Sequence, residues 1–240
     1  MEYGTLLDDA FTYTKEGIFS NLNRWAALIV ALICLGIPLN GYVMRIYRGA
    51  APAPEVDQWG TLFIDGLKLI VVGLIYAIPM MIVWAFIYGG FFLGAIQGTM
   101  DSAAMESWEP DLYLTILLYA VEIIVGIFVP VAAIRFARTG QFTEAFNFGA
   151  ILETIGKIGW IAYLIALIII TLVISIPIII LVIAFIVVGG FTLYAMNMSG
   201  IALLGLIGAF VLALLIISPL FTVFQARYMT KVYESAGISP

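Results

Sequence analysis

The chain contains no histidine, and only one of its 240 residues is a cysteine. Histidine is the commonest metal ligand in proteins and the commonest proton carrier near neutral pH, so its absence argues against both kinds of site. Cys34 has no second cysteine with which to form a disulfide or share a metal cluster. We therefore expect no bound metal and no cofactor.

Charge is also scarce: charged residues make up 10% of the chain, hydrophobic residues 64%, and the mean hydropathy is +1.15. A chain of this composition has too little polar surface to cover a fold in water. The net charge of −5 gives no support to nucleic-acid binding. The first 24 residues contain four acids and no compact apolar segment, so we expect no signal peptide.

Long charge-free runs cover residues 25–44, 69–100, 112–134 and 158–226, the third interrupted only by Glu122. About 20 apolar residues suffice to cross a bilayer as a helix, so the last run must cross more than once. None of the runs alternates in polarity as transmembrane strands do. The sequence predicts an all-α, polytopic integral membrane helical bundle of about five transmembrane helices.

An approximate internal repeat relates two parts of the chain. The segments "AIPMMIVWAFIYGGFF" and "SIPIIILVIAFIVVGGFT" both begin near a proline and end near a Gly-Gly pair. Such repeats are common in membrane proteins. The chain divides into an amino-terminal amphipathic segment 1–24, a first span 25–48, and repeat units 57–138 and 141–231.

The polar stretches ahead of the spans carry apolar residues near helical spacing, for example in "TEAFNFGAILETIGK". This pattern predicts short amphipathic helices lying in the headgroup plane. Solvated helices packed on the membrane domain would show the same pattern.

A basic and aromatic segment follows three of the predicted spans, as "MRIYRG", "AIRFARTG" and "ARYMTK". We interpret these segments as membrane-interface anchors, with basic heads among anionic headgroups and aromatic rings in the interface. The predicted anchors are Arg45, Tyr47, Arg48, Lys68, Arg135, Phe136, Arg138, Lys157, Arg227, Tyr228 and Lys231.

The distribution of basic residues predicts the orientation. With five spans, eight of the ten bases fall on one side, which the positive-inside rule assigns to the cytoplasm. The amino terminus is then outside and the carboxyl terminus inside a cell (cytoplasmic) membrane. Alternatively, the run 25–44 dips into the membrane and returns, bent near Gly36 and Pro38, and all ten bases lie inside.

Glu122 is the only acid within a predicted span. An ionisable side chain at that depth is costly and is by default a functional candidate, typically for proton or ion coupling. The alternative is a structural polar contact with a neighbouring helix.

Small residues recur at one-turn spacing in two spans, where they would let helix backbones approach closely. This close packing could lie within the chain or at a dimer face. The candidate packing residues are Gly90, Gly94, Gly205, Ala209 and Ala213.

Four prolines interrupt the predicted spans, where each removes a backbone hydrogen bond and kinks the helix. Kinks can line a cavity and are also common passive features of membrane helices. The predicted kinks are at Pro79, Pro130, Pro177 and Pro219.

No phosphate-binding loop, zinc-protease motif or serine-hydrolase motif occurs in the sequence, so we expect no enzymatic activity. The leading hypothesis is a membrane scaffold or assembly component that contacts lipids and associates with itself or another membrane protein. The alternative is a transporter or channel for a small molecule or ion. Its pathway would be lined by Glu122, Thr171, Ser175, Asn197 and Ser218.

The segment "GYVMRIYRG…PAPEVDQWGTLFIDGLKLIVVGLIYAIP", from Gly41 to Pro79, resembles an archaeal family of multi-pass membrane proteins catalogued as a domain of unknown function. The segments "DDAFTYTKEGIF" and "ARYMTKVYESA" are also similar to that family. The resemblance implies an archaeal membrane protein, frequent in methanogens. It supplies no catalytic residues.

Overall fold

The computed structural model describes residues 1–99, 101–196 and 200–237, which are almost entirely helical and include no strand. This confirms the predicted all-α fold. The α-helices are α1 Tyr3–Thr14, α2 Leu22–Ile33, α3 Ile37–Tyr47, α4 Trp59–Ile96, α5 Ser102–Glu106, α6 Leu112–Thr139, α7 Phe148–Ile158, α8 Trp160–Met196 and α9 Gly200–Glu234. A π-helical turn (Lys15–Phe19) follows α1, and a 3₁₀ turn (Phe142–Phe146) precedes α7.

Four of the described helices, α4, α6, α8 and α9, are long and apolar enough to cross a membrane. The predicted fifth span is not confirmed, because residues 25–44 fall in two short helices, α2 and α3, with a turn between them. At about 1.5 Å per residue, neither helix reaches the roughly 30 Å thickness of a bilayer core. The turn contains Leu35 and Gly36 with φ angles of 58° and 69°.

The two chain ends lie close together. Asp9 of α1 pairs with Arg227 of α9, and the Tyr3 hydroxyl donates to the carbonyl of Ala162 at 3.2 Å. The predicted separation of the two termini to opposite sides is therefore not confirmed.

The buried core lies at the end of the bundle that carries the basic residues. One part surrounds Phe136, Tyr163 and Tyr228, where α6, α8 and α9 meet, and a second surrounds Tyr42 and Val223. In the hydrophobic windows of the spans, at most 17% of the residues are buried. The helices are thus held together at one end and leave most of their apolar surface exposed.

The closest helix approach joins α3 to the first turns of α4. A Cβ atom on Gly41 would lie 1.9 Å from the carbonyl oxygen of Leu62, and one on Gly66 would lie 1.8 Å from that of Ile37. Only glycine permits this contact.

The small residues predicted to pack helices lie elsewhere. A Cβ atom on Gly90 or Gly205 would meet nothing within 4 Å, so the expected packing at these two positions within the chain is not found. Ala209 is exposed, while Gly94 and Ala213 are half-buried.

We predict that Gly66→Ala destabilises the fold by about 1–3 kcal/mol or more, because the new methyl group must push the two backbones apart. The matched control is Gly73→Ala in the same helix, where a Cβ atom meets nothing within 4 Å. Unfolding of both variants by detergent titration measures the difference. Equal stability of the two variants would contradict the close crossing of α3 and α4.

Cysteine labelling tests the placement of the termini. In a Cys34→Ala background, we expect Ser20→Cys and Ser235→Cys to react from one side of the membrane and Thr99→Cys from the other, because both chain ends lie at the basic end of the bundle and Thr99 follows the far end of α4. Reaction of Ser20→Cys and Thr99→Cys from the same side would restore the five-span arrangement.

Candidate functional site at the arginine-rich end

Each of the six arginines forms an ion pair with a carboxylate of the same chain. The pairs are Arg24–Glu55, Arg45–Asp57, Arg48–Asp65, Arg135–Glu144, Arg138–Glu234 and Arg227–Asp9. Five of these arginines are predicted anchors, and their anchoring role stays a prediction. Their guanidinium groups join helices and loops within the protein.

Arg48 and Arg138 cap each other's helices. Arg48 Nε donates to the carbonyl of Ala137 in the last turn of α6 at 3.3 Å, and Arg138 Nε donates to the carbonyl of Tyr47 at the end of α3 at 2.7 Å. The last carbonyls of a helix lack internal partners and carry partial negative charge. Two of the repeated basic segments thus form one reciprocal contact, which we call the arginine clamp.

Both arginines of the clamp also form an ion pair with a carboxylate on another helix. Arg48 Nη1 lies 2.6 Å from Asp65 Oδ2 in α4, and Arg138 Nη2 lies 2.6 Å from Glu234 Oε1 in α9. Lys231 also contacts Glu234, at 3.1 Å. The clamp therefore ties together α3, α4, α6 and α9.

The clamp region has more cationic than carboxylate groups. The Arg138 side chain is 10% exposed, and its Nη1 atom is buried with no acceptor among the described residues. The same holds for Arg135 Nε. The Arg135 hydrogen bond lowers the pKa of the Glu144 carboxyl below its usual value.

The aromatic residues of the predicted anchors pack inside the protein. Phe136 is 2% exposed and Tyr228 is fully buried, both within the main core. Burial raises the pKa of Tyr47 to about 12. Phe136 and Tyr228 therefore fill space between helices, and the anchoring role of the aromatic residues stays a prediction.

The lysines differ from the arginines. Lys157 forms an exposed pair with Glu153 one turn earlier in α7. Lys15 and Lys68 are exposed and form no ion pair with any described residue. Of the predicted anchors, Lys68 keeps a free charge for lipid headgroups.

All four predicted prolines lie inside helices, and two have the same kind of partner. The carbonyl three residues before Pro130 accepts a hydrogen bond from the Tyr163 hydroxyl at 2.7 Å. The carbonyl three residues before Pro219 accepts one from the Trp25 indole at 2.8 Å. Neighbouring side chains thus bind the backbone one turn before each of these two prolines.

Glu122 lies in the exposed part of α6, away from the clamp. It is 11 residues from Asp111 and 13 from Arg135, so about 16 Å and 20 Å along the helix from each. It forms no hydrogen bond or ion pair with a described residue, and it does not line any of three cavities formed by the described residues. The structure therefore separates Glu122 from the other candidate residues.

Sequence reasoning missed the acids that pair with the arginines: Asp9, Glu55, Asp57, Asp65, Glu144 and Glu234. A signal was present, since ten acids share the segments that hold the ten bases. The remaining five acids are Glu122 and the four between residues 101 and 111. Together these five account for the whole net charge of −5.

Comparison with known proteins identifies one family. A family model described as a protein of unknown function, DUF4013, matches residues 25–183. The chain belongs to this family. The match includes most of α2, all of α3 to α7 and much of α8, and thus Arg48, Arg138 and Glu122, whereas α1 and α9 lie outside it. No curated protein and no solved structure matches the chain.

We predict that Arg138→Gln destabilises this DUF4013 chain by about 3 kcal/mol, because it leaves Glu234 and the Tyr47 carbonyl without their buried donor. The matched control, Lys157→Gln, breaks an exposed pair and is expected to cost about 0.2–1 kcal/mol. The free energy of unfolding in mixed micelles measures both. Equal effects would show that the clamp adds no more than a surface ion pair.

Proposed function

We propose that this protein is a non-enzymatic structural component of the cell membrane that associates laterally with a second copy of itself. The supporting observation is Glu122, an exposed acid midway along α6 with no hydrogen-bond or ion-pair partner among the described residues. A carboxylate facing lipid at that depth costs a few kcal/mol, so a helix that covers it would be favoured.

The residues beside Glu122 suit such a contact. Tyr119 and Gly126 lie three residues before and four residues after it, hence on the same face of α6, and neither is buried. Tyr119 offers a hydroxyl donor, and Gly126 allows a close approach. In a dimer with two-fold symmetry, the same patch of both copies would lie in the interface. Each Glu122 would then be next to hydrogen-bond donors of the other copy.

A transporter using Glu122 is the second candidate. Its pathway would need the polar residues of α8 and α9, yet the hydroxyls of Thr171 and Ser218 donate to carbonyls of their own helices. Asn197 lies outside the described residues. Because Glu122 lines none of the three cavities described above, we rank this candidate below lateral association.

The proposed topology has four spans, with α2 and α3 re-entering on the cytoplasmic side and both termini in the cytoplasm. The support is the charge distribution: the segment 97–111 between α4 and α6 has four acids and no base, whereas the opposite end carries the bases. The membrane would be archaeal, as the family resemblance implies.

The internal repeat is part of the same proposal. Arg138 and Arg227 each stand eight residues after an intrahelical proline, pair with a carboxylate and lie over a tyrosine ring. The guanidinium carbons are 5.7 Å from the Tyr233 centroid and 4.5 Å from the Tyr13 centroid, respectively. The partners lie outside residues 57–138 and 141–231, but the same spacing from proline to arginine in both units supports their common origin.

Crosslinking in membranes tests lateral association. In a Cys34→Ala background, Tyr119→Cys and Gly126→Cys should form dimers, because both lie on the Glu122 face. The matched control is Ile124→Cys, which is also exposed and differs little in depth but points to the opposite side of α6. Dimers at Ile124→Cys equal to those at Tyr119→Cys would contradict a specific interface.

The role of the carboxyl group is tested in the same assay. We expect Glu122→Leu to reduce the Tyr119→Cys dimer several-fold and Glu122→Gln, which still forms hydrogen bonds, to retain most of it. Two results together would favour the transporter instead. Solute flux through proteoliposomes would disappear in Glu122→Gln, and Tyr119→Cys with the native Glu122 would form no crosslinked dimer.

A further inference from the structure

An apolar groove lies between α1 with its π-helical turn on one side and α8 and α9 on the other. Its volume is about 710 Å³, within the usual range of about 300–1,000 Å³ for ligand sites. Its apolar wall includes Leu7, Phe11, Phe19, Val173, Leu220 and Phe224. We propose that this groove binds the acyl chain of an anionic membrane lipid, with the headgroup phosphate at Lys15.

The opposite side of α1 is already occupied. Asp9 pairs with Arg227, the Tyr13 ring lies under the same guanidinium group, and the Tyr13 hydroxyl donates to the carbonyl of Ala50 at 3.0 Å. These contacts fix the rotation of α1 about its axis. The apolar stripe of this segment, Leu7, Phe11 and Phe19, therefore faces the groove. Phe11 and Phe19 are 59% and 54% exposed.

The π-helical turn places Lys15 at the groove. The Ser20 amide donates to the carbonyl of Lys15 at 2.8 Å, a bond that spans five residues instead of four. Four residues turn slightly more than once around the axis of an α-helix, because one turn takes 3.6 residues. They turn slightly less than once around the axis of a π-helix, whose turn is wider. In a continuous α-helix, residues four apart would rotate gradually away from the groove. The wider π-helical turn compensates for this rotation, so Lys15 and Phe19 both line the groove.

The charge of Lys15 is available to a ligand. The six arginines are neutralised within the chain, whereas Lys15 is exposed and pairs with no described carboxylate. Asp8 also lines the groove, seven residues before Lys15. An anionic headgroup is attracted to the Lys15 end and repelled from the Asp8 end, so the two charges orient the lipid.

A backbone acceptor belongs to the same cavity. Pro177 has no N–H to donate to the carbonyl of Val173, and both residues line the groove. No side chain among the described residues donates a hydrogen bond to this carbonyl. A headgroup hydroxyl can supply the donor.

Native mass spectrometry of the full chain in detergent tests the proposal, with phosphatidylglycerol and phosphatidylcholine of identical acyl chains as probes. We expect the wild type to bind phosphatidylglycerol more tightly. Lys15→Gln should weaken that binding roughly fivefold, as the loss of one lysine at a membrane surface would. Asp8→Asn should strengthen it. Lys68→Gln, which removes the other unpaired lysine, should leave it unchanged.

Two further measurements separate the acyl-chain contact from the phosphate contact. Leu220→Trp, which fills the groove, should weaken binding of both lipids, and glycerol phosphate without an acyl chain should not compete. Equal affinity for the two lipids, or equal effects of Lys15→Gln and Lys68→Gln, would overturn the proposal. Competition by glycerol phosphate would overturn it as well and would reassign Lys15 to a soluble phosphate ligand. Because the groove is remote in sequence from Glu122 and on other helices, this result is independent of the crosslinking experiment.

Discussion

The arrangement of the bundle depends on how the carboxyl-terminal ends of α3 and α6 are brought together. Each end carries unpaired carbonyls and partial negative charge, so the two ends repel each other unless cations lie between them. Arg48 and Arg138 meet this need reciprocally, each donating to a carbonyl of the other's helix. Their remaining donors reach Asp65 and Glu234 and so add α4 and α9 to the same assembly. The main core forms around this point.

Several features followed from the sequence because they depend on local composition. Each of the four spans overlaps a charge-free run, although α4 begins before its run and α6 and α9 continue past theirs. A helix is expected in such a run because it is the only single segment that satisfies its own backbone in lipid. The sequence did not predict the carboxylates with which the arginines of the basic segments pair. An arginine at the end of a span obeys the positive-inside rule whether its partner is a headgroup or a carboxylate, so the rule cannot separate the two.

The contacts that the sequence did not predict join residues that are far apart along the chain. Asp9 and Arg227 are 218 residues apart, and no local pattern joins them. The break between α2 and α3 was also ambiguous, since Gly36 and Pro38 are acceptable within a membrane span and equally able to end a helix. The crossing at Gly41 and Gly66 was not predicted, because these glycines lie near the ends of charge-free runs, whereas small-residue packing motifs are expected inside spans.

The structure divides the chain into an end that is held together internally and spans that remain open to partners. Arginine pairs, aromatic packing and the glycine crossing stabilise the first part without external contacts. The outer half of α6, with Glu122, has no such support and is the part where a second copy would bind under our proposal. The lipid groove lies at a third location, bounded by α1, α8 and α9.

A double-mutant cycle between Arg48 and Arg138 tests the central claim most directly. Lysine keeps the charge but cannot serve a carbonyl and a carboxylate in the fixed geometry of a guanidinium group. We predict that the destabilisations of Arg48→Lys and Arg138→Lys fail to add, with a coupling free energy of about 1 kcal/mol or more. Additivity within about 0.5 kcal/mol would contradict the reciprocal clamp.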